Sequence, residues 1–307
     1  AQATRMLQDP RAHVFAKTFI GQWLGTKDVG GRIAPTQNSI QHYYTPEVAA
    51  DMRQEVVLMF QHLLRADRSV LELIDTDYIF LSRRLAKFYQ LDLEKELPKS
   101  GFRKVDVKDN RRGGLLGAGA VLALTSHFKK TSPVLRGAWV FDTLLGTPVP
   151  APPPNIPDLP SKNKAGKKLS ARESLAAHRD KPTCLACHNL IDPIGFGLEN
   201  YDFLGRWRDE IDGKPVDASG KLPSGESFTG PAELRQVMLG KKEEFARNLS
   251  RKLLGYALGR GLDDRDECTI SQLVESLEND DFKAPTLIRE IVLSVPFRNR
   301  QKVTEGE

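Results

Sequence analysis

The chain has 307 residues, 40% hydrophobic and 28% charged, with 45 Lys and Arg against 40 Asp and Glu for a formal charge of +5. A mean hydropathy of -0.40 excludes a membrane-embedded protein, and the interspersed charges form no basic stripe of the kind that grips nucleic acid. Three cysteines, Cys184, Cys187 and Cys268, are too few for a disulfide framework, and the length suits about two domains.

The opening AQATRMLQDPR lacks the apolar core of a signal peptide and begins without Met, so the expectation is a trimmed piece of something longer. Thr45-Pro46-Glu47 is a capping residue followed by proline at the first helical position, and Val48, Met52, Val56, Met59, Phe60, Leu63 and Leu64 then keep one apolar face. A second helix is predicted from Asp77 to Tyr89, with Phe80, Leu81, Leu85 and Phe88 inward. The run GGLLGAGAVLALT, Gly113 to Thr125, is shorter than the roughly 20 residues that span a bilayer and reads as a buried helix. The Ser132-Pro133 cap starts a third helix that ends at Gly146.

Seven prolines fall between Pro148 and Pro160, which predicts extended, polyproline-like chain, and the lysine-rich Ser161 to Lys168 completes a linker. The predicted organisation is an N-terminal helical domain at 1–147, a linker at 148–168 and a second helical domain at 169–307. Ser170-Ala171-Arg172-Glu173 matches a capping box, so a short helix carries Leu175 and His178 toward the cysteines, ended by Pro182. Asp212 to Gly230 is dense in turn formers and holds at most a small hairpin or ordered loop. Helices are then predicted at Pro231–Leu239, Glu243–Leu258, Asp264–Leu277 and Ala284–Ser294, the last ending before Pro296. The fold class is mostly α, with no strand-rich region and no solenoid repeat.

Cys184-Leu185-Ala186-Cys187-His188 is CxxCH, the attachment signature of c-type haem. Cysteines three apart on a helical turn reach two vinyl groups on one edge of a macrocycle, and the next residue offers an imidazole to the iron. A thioredoxin-like dithiol is the alternative, but it wants a strand before the CxxC, where a capped helix is predicted. A structural zinc site needs four ligands, and only Cys268, His178 or an acidic residue remains to complete one.

The stretches FIGQWLG (Phe19 to Gly25), RRGGLLGAGAVLALTS (Arg111 to Ser126), TSPVLRGAWVFDTLLGTPVPAPPPNIP (Thr131 to Pro157), CLACHNLIDPIGFGLENYDFLGRWR (Cys184 to Arg208) and KLLGYALGRGLDDRD (Lys252 to Asp266) resemble the secreted cytochrome-like proteins abundant in planctomycetes and related bacteria. Those proteins are built from consecutive domains of unknown function, often with a further haem domain upstream. The segment around the CxxCH is also similar, more weakly, to bacterial dihaem cytochrome c peroxidases. The resemblance implies one covalent haem c in a cytochrome c-like C-terminal domain, a periplasmic or extracellular location, and a redox partner protein or upstream haem domain as partner. The chain departs from the family pattern at His127, commonly a small polar residue, and at Gln90, usually glycine.

In this reading Cys184 and Cys187 anchor the haem and His188 is the proximal ligand. His178 and Met238 are the candidates for the sixth ligand, and His127 is a candidate distal acid–base group, with a solvated loop histidine as the alternative. Arg206 and Arg208 can pair with haem propionates or form ordinary ion pairs. Gly195 and Gly197 would let the loop after Pro193 approach the porphyrin, and Cys268 reads as a buried apolar thiol. Asp263, Asp264, Asp266 and Glu267 read as a helix N-terminal charge cluster, with calcium as the alternative, since EF-hand spacing is lacking. The expected function is an exported haem protein acting in electron transfer or peroxidase-like oxidoreduction. The alternatives are an exported binding or assembly module with a structural haem, and a haem-free dithiol or zinc protein.

Overall fold

The computed structural model describes residues 2–107, 109–150, 159–160, 162, 165–167, 169–179 and 182–299. It is 54% helix and 10% strand, a mostly helical protein. Most of the proline-rich segment, 151–158, lies outside the described residues, so its extended conformation is not addressed.

Helices α1 (Gln2–Gln8) and α2 (Ala12–Trp23) precede the long α3 (Pro46–Arg65). The Thr45 hydroxyl accepts from the Val48 amide at 3.3 Å and Pro46 opens α3, as the local sequence predicts. The helix predicted over 77–89 is instead a strand followed by a helix, β1 (Tyr78–Leu81) and α4 (Arg83–Phe88). Strand β2 (Arg103–Asp106) pairs antiparallel with β1, Ile79 opposite Val105, and the Ser82 hydroxyl caps α4 by accepting from Leu85. Gln90, just past α4, has a φ of 59°, the left-handed conformation in which glycine carries no Cβ penalty.

The apolar run after Arg112 is buried as expected, but only its second half is α-helix, α5 (Gly119–Leu124). A minimal hairpin, β3 (Ser126–His127) with β4 (Lys130–Thr131), leads to α6 (Pro133–Trp139). Helix α6 continues as a π turn over Val140–Leu145 and stops at Gly146, whose φ of 72° is the left-handed C-terminal cap. Helix α7 (Ala171–Arg179) carries the predicted capping box, with the Ser170 amide donating to Glu173 and the Glu173 amide to Ser170. Pro182 does not merely end α7; it opens α8 (Pro182–Phe196).

The turn-rich segment forms two small hairpins, β5 (Glu210–Ile211) with β6 (Lys214–Pro215) and β7 (Ser219–Lys221) with β8 (Ser227–Thr229). Helices α9 (Gly230–Leu239), α10 (Lys242–Leu258), α11 (Glu267–Asn279), α12 (Ala284–Leu293) and the short α13 (Val295–Arg298) complete the chain close to the expected bounds.

The larger core draws on both sides of the proline-rich segment: Phe19, Phe60, Val140, Ile194, Phe245, Leu254 and Leu277 all belong to it. Polar ties reinforce the join. The Trp23 indole donates to Thr143 O at 3.0 Å, the Trp139 indole to Leu24 O at 3.3 Å, and the Asn248 amide to Thr143 O and Leu144 O. A second core, with Tyr44, Met52, Leu85, Phe88 and Ala120, lies beneath the β1–β2 hairpin.

Helices α6 and α8 cross almost backbone to backbone. A Cβ at Gly137 would overlap the carbonyl of Ile191, and one at Gly195 would overlap the carbonyl of Pro133. Gly195 thus lies in a helix, not a loop, and its bare face is filled by α6; Gly197 is filled by Phe228 and Leu234. Beside the crossing the fully buried Arg136 guanidinium donates to Leu198 O, Tyr201 O, Asp202 O, Ser126 Oγ and Glu199 Oε1. Burial pulls its pKa down to about 10, which leaves it charged at neutral pH opposite Glu199.

Candidate functional site: the CxxCH helix

Residues 184, 188 and 192 recur every four positions on α8, so Cys184, His188 and Asp192 lie along one stripe with Cys187 beside it. Cys184 and Cys187 are half-buried and in no disulfide among the described residues, while Leu185 and Leu190 on the same helix are 39% and 40% exposed. The first half of α8 therefore presents its thiols together with uncovered apolar surface.

His188 keeps 15% of its side chain exposed, and its Nδ1 lies 2.8 Å from Oδ1 of Asp192, which is fully buried. With Asp192 accepting the Nδ1 proton, a neutral His188 carries its lone pair on Nε2. Among the described residues Oδ2 of Asp192 has no hydrogen-bond partner, and Arg179 Nε lies 3.9 Å from it. Burial pushes the Asp192 carboxyl above its ordinary range, against the His188 hydrogen bond and the charges of His188, Arg179 and His178. The His178 ring, on α7, meets His188 edge-on with centres 4.9 Å apart.

The structure thus gathers Cys184, Cys187, His188 and His178 at the α7–α8 hairpin and places the other candidates on other elements. Met238 is fully buried on α9 in the larger core. His127 is exposed on β3, its pKa lowered by partial burial and by the positive charges of Arg32 and Lys130. Arg206 is taken by Asp202, Nε to Oδ2 at 2.9 Å, and lies over the Tyr43 ring. Arg208 is taken by Glu199 at 2.9 Å and donates also to Thr131 Oγ1. A propionate role for either arginine requires it to give up that carboxylate.

Cys268 is exposed, not buried: the inward stripe of α11 is Thr269, Ile270, Leu273 and Leu277, and Cys268 falls outside it. The acidic residues near it are occupied by arginines, Asp263 by Arg265, Asp266 by Arg260, and Glu267 by Arg247 and Arg251. Asp263 and Asp266 also form a reciprocal cap on the turn before α11. No group of three or more His, Cys, Asp or Glu suited to a metal ion occurs among the described residues, and no helix among them is long and apolar enough to cross a membrane.

Sequence reasoning assigned no role to Asp192, although an acid one helical turn beyond a candidate ligand is a readable signal. It also passed over the buried cluster of Glu55, Tyr89 and Arg112. There the Tyr89 hydroxyl donates to Glu55 at 2.7 Å and accepts from the Gly119 amide, and Arg112 stacks 3.5 Å from the Tyr89 ring centre.

Three family models match the chain. Residues 1–91 match a protein of unknown function (DUF1592), residues 112–211 a protein of unknown function (DUF1588), which includes the CxxCH, and residues 224–297 a protein of unknown function (DUF1585). No curated protein and no solved structure matches. The chain is thus similar, in order along its length, to three domains of unknown function.

Proposed function

We propose that the α7–α8 hairpin is the attachment site of one covalent haem c and that the protein is an exported haem oxidoreductase. The observation that carries this reading is the stripe on α8. Two half-buried thiols and an imidazole share one face, and buried Asp192 holds Nδ1 so that Nε2 is the free donor. The group fits these residues, since exposed Leu185, on the side of α8 next to His188, supplies apolar surface that a macrocycle would cover. Cys184 and Cys187 would hold its vinyl carbons and His188 its iron. When bound, the group would supply one-electron chemistry and reactivity toward peroxide.

The placement of the other candidate ligands in this chain favours peroxide-type reactivity over plain electron carriage. His178 and His188 are 4.9 Å apart and edge-on, so ligation by His178 requires α7 to shift, and ligation by Met238 requires it to leave the core. Asp192 accepting from Nδ1 raises the basicity of His188 toward a bound metal, which favours the oxidised ion. The full activity, its donor and its partner belong to this proposal, as does export, because covalent haem attachment occurs outside the cytoplasm.

The test is the visible spectrum, oxidised and reduced, of protein made in a host competent for cytochrome c maturation, beside a Cys184→Ser/Cys187→Ser control. A covalent haem spectrum absent from the control is expected, high-spin in the oxidised form. A low-spin spectrum would favour electron transfer. Colourless wild-type protein from that host would overturn the haem reading and leave the dithiol and zinc alternatives.

A further inference from the structure

Away from the CxxCH, a cavity of ≈550 Å³ opens beside the β1–β2 hairpin. Its buried lining consists of Ile79, Tyr89 and Leu97 with one cation, Arg112, each 2–3% exposed, and Val107 and Trp207 line it nearer to solvent. Arg112 spends Nη1 on Gly117 O at 2.8 Å, Nη2 on Gly205 O, and one face on the Tyr89 ring. Among the described residues no carboxylate hydrogen-bonds to it or forms an ion pair with it. The buried acid near it, Glu55, is turned to Tyr89, and burial raises its pKa to about 7, so below that pH it does not cancel the charge.

Exposed charges of both signs also line the cavity, the carboxylates of Glu96, Asp106, Asp109 and Asp209 and the cations of Arg103, Lys104 and Arg111, and water screens them. The buried guanidinium is screened far less, and it sets the sign of the potential at the cavity's depth. Apolar walls, a flat aromatic ring and one low-dielectric cation together suit a ligand with a planar apolar body and an anionic head.

We propose that this cavity is a binding site for a small aromatic carboxylate, with Arg112 at its depth selecting the negative charge. The site is independent of the haem reading. Its volume of ≈550 Å³ admits a one- or two-ring acid with room for water, and its recognition differs from a surface basic patch because the Arg112 charge is buried.

The probe series is 2-naphthoate, neutral 2-naphthamide and cationic 2-naphthylmethylammonium, titrated by calorimetry into the full chain at about pH 5.5, where Glu55 holds its proton and naphthoate is ionised. Saturable 1:1 binding is expected, with naphthoate at least about ten-fold tighter than the amide, the cation weakest, and the naphthoate affinity little changed between low and high salt. Val107→Trp fills the cavity while leaving Arg112 in place, and is expected to weaken naphthoate binding about ten-fold or more at an unchanged thermal midpoint. Leu93→Trp serves if that variant does not fold. Equal binding of acid and amide, undiminished binding by the filled variant, or no saturable binding of naphthoate would each overturn the proposal.

Discussion

Glu55 makes the stability of this protein depend on pH in a direction opposite to that of a salt-bridged acid. It is 1% exposed on α3, its carboxylate accepts from the Tyr89 hydroxyl at 2.7 Å, and burial pushes its pKa from 4.5 up to about 7 against the opposing effects of Tyr89, Arg112 and Gly119. An acid with a raised folded-state pKa binds its proton more tightly folded than unfolded. Stability is therefore greatest below the unfolded value of 4.5, falls as pH rises toward about 7, and is flat above. The interval of about 2.5 pH units corresponds to about 3 kcal/mol at 1.36 kcal/mol per unit. Glu55→Gln keeps a carbonyl acceptor for Tyr89 and removes the titration. Urea unfolding of both proteins at pH 5 and pH 8 isolates the effect, because every other titrating group cancels in the difference. Glu55→Gln is expected to gain about 2.5 kcal/mol relative to wild type between the two pH values, since pH 5 already lies above the unfolded value. A wild-type-to-variant difference constant within about 1 kcal/mol would refute the reasoning.

Arg136→Met is expected to destabilise by about 3 kcal/mol, the low end for breaking a buried pair because Glu199 keeps Arg208; denaturant unfolding measures it. Gly195→Ala places a methyl against the backbone of Pro133, and since backbone cannot yield as a side chain can, a loss of about 3 kcal/mol in the same assay is expected. Gln90→Gly relieves a left-handed residue and should stabilise by about 0.5–1 kcal/mol, read as a rise in thermal midpoint. In haem-loaded protein, Asp192→Asn weakens the acceptor on His188 Nδ1 and should raise the midpoint potential while the covalent haem content stays unchanged.

Helix starts at Thr45, Ser132 and Ser170 were legible because a capping side chain and the proline or glutamate that confirms it sit within four residues. Tyr78–Leu81 was not, because what makes YIFL a strand is its partner at Arg103–Asp106, more than twenty residues on, and an isolated apolar run of that length suits either period. Helices α1 and α2 went unread for lack of a cap: the residue before α2, Arg11, makes no side-chain cap hydrogen bond. Within the candidate site, the motif and its helix were legible and the acid behind the histidine was legible in principle. The clamp formed by Arg136 with Glu199 was not, since 63 residues separate the partners and nothing local marks a buried arginine. Cys268 was misplaced because DRDECTISQLV supports two neighbouring apolar stripes, and only packing selects the one through Ile270 and Leu273.

These features divide α8 into two halves with different work. From Ile191 onward it is held against α6 through Gly137 and Gly195, and the chain that follows it is gripped by Arg136 at Leu198, Glu199, Tyr201 and Asp202. Before Ile191 the helix projects half-buried thiols and exposed leucines toward solvent. Asp192 stands at the boundary, fully buried, one helical turn from His188. A ring hydrogen-bonded only to water could turn about its side-chain torsions, whereas a ring bonded to a carboxylate inside the rigid half cannot turn without breaking that bond in a place where water does not replace it. The close α6–α8 crossing therefore orients His188 although neither glycine touches it, and a substitution at Gly195 should loosen the histidine as well as the fold.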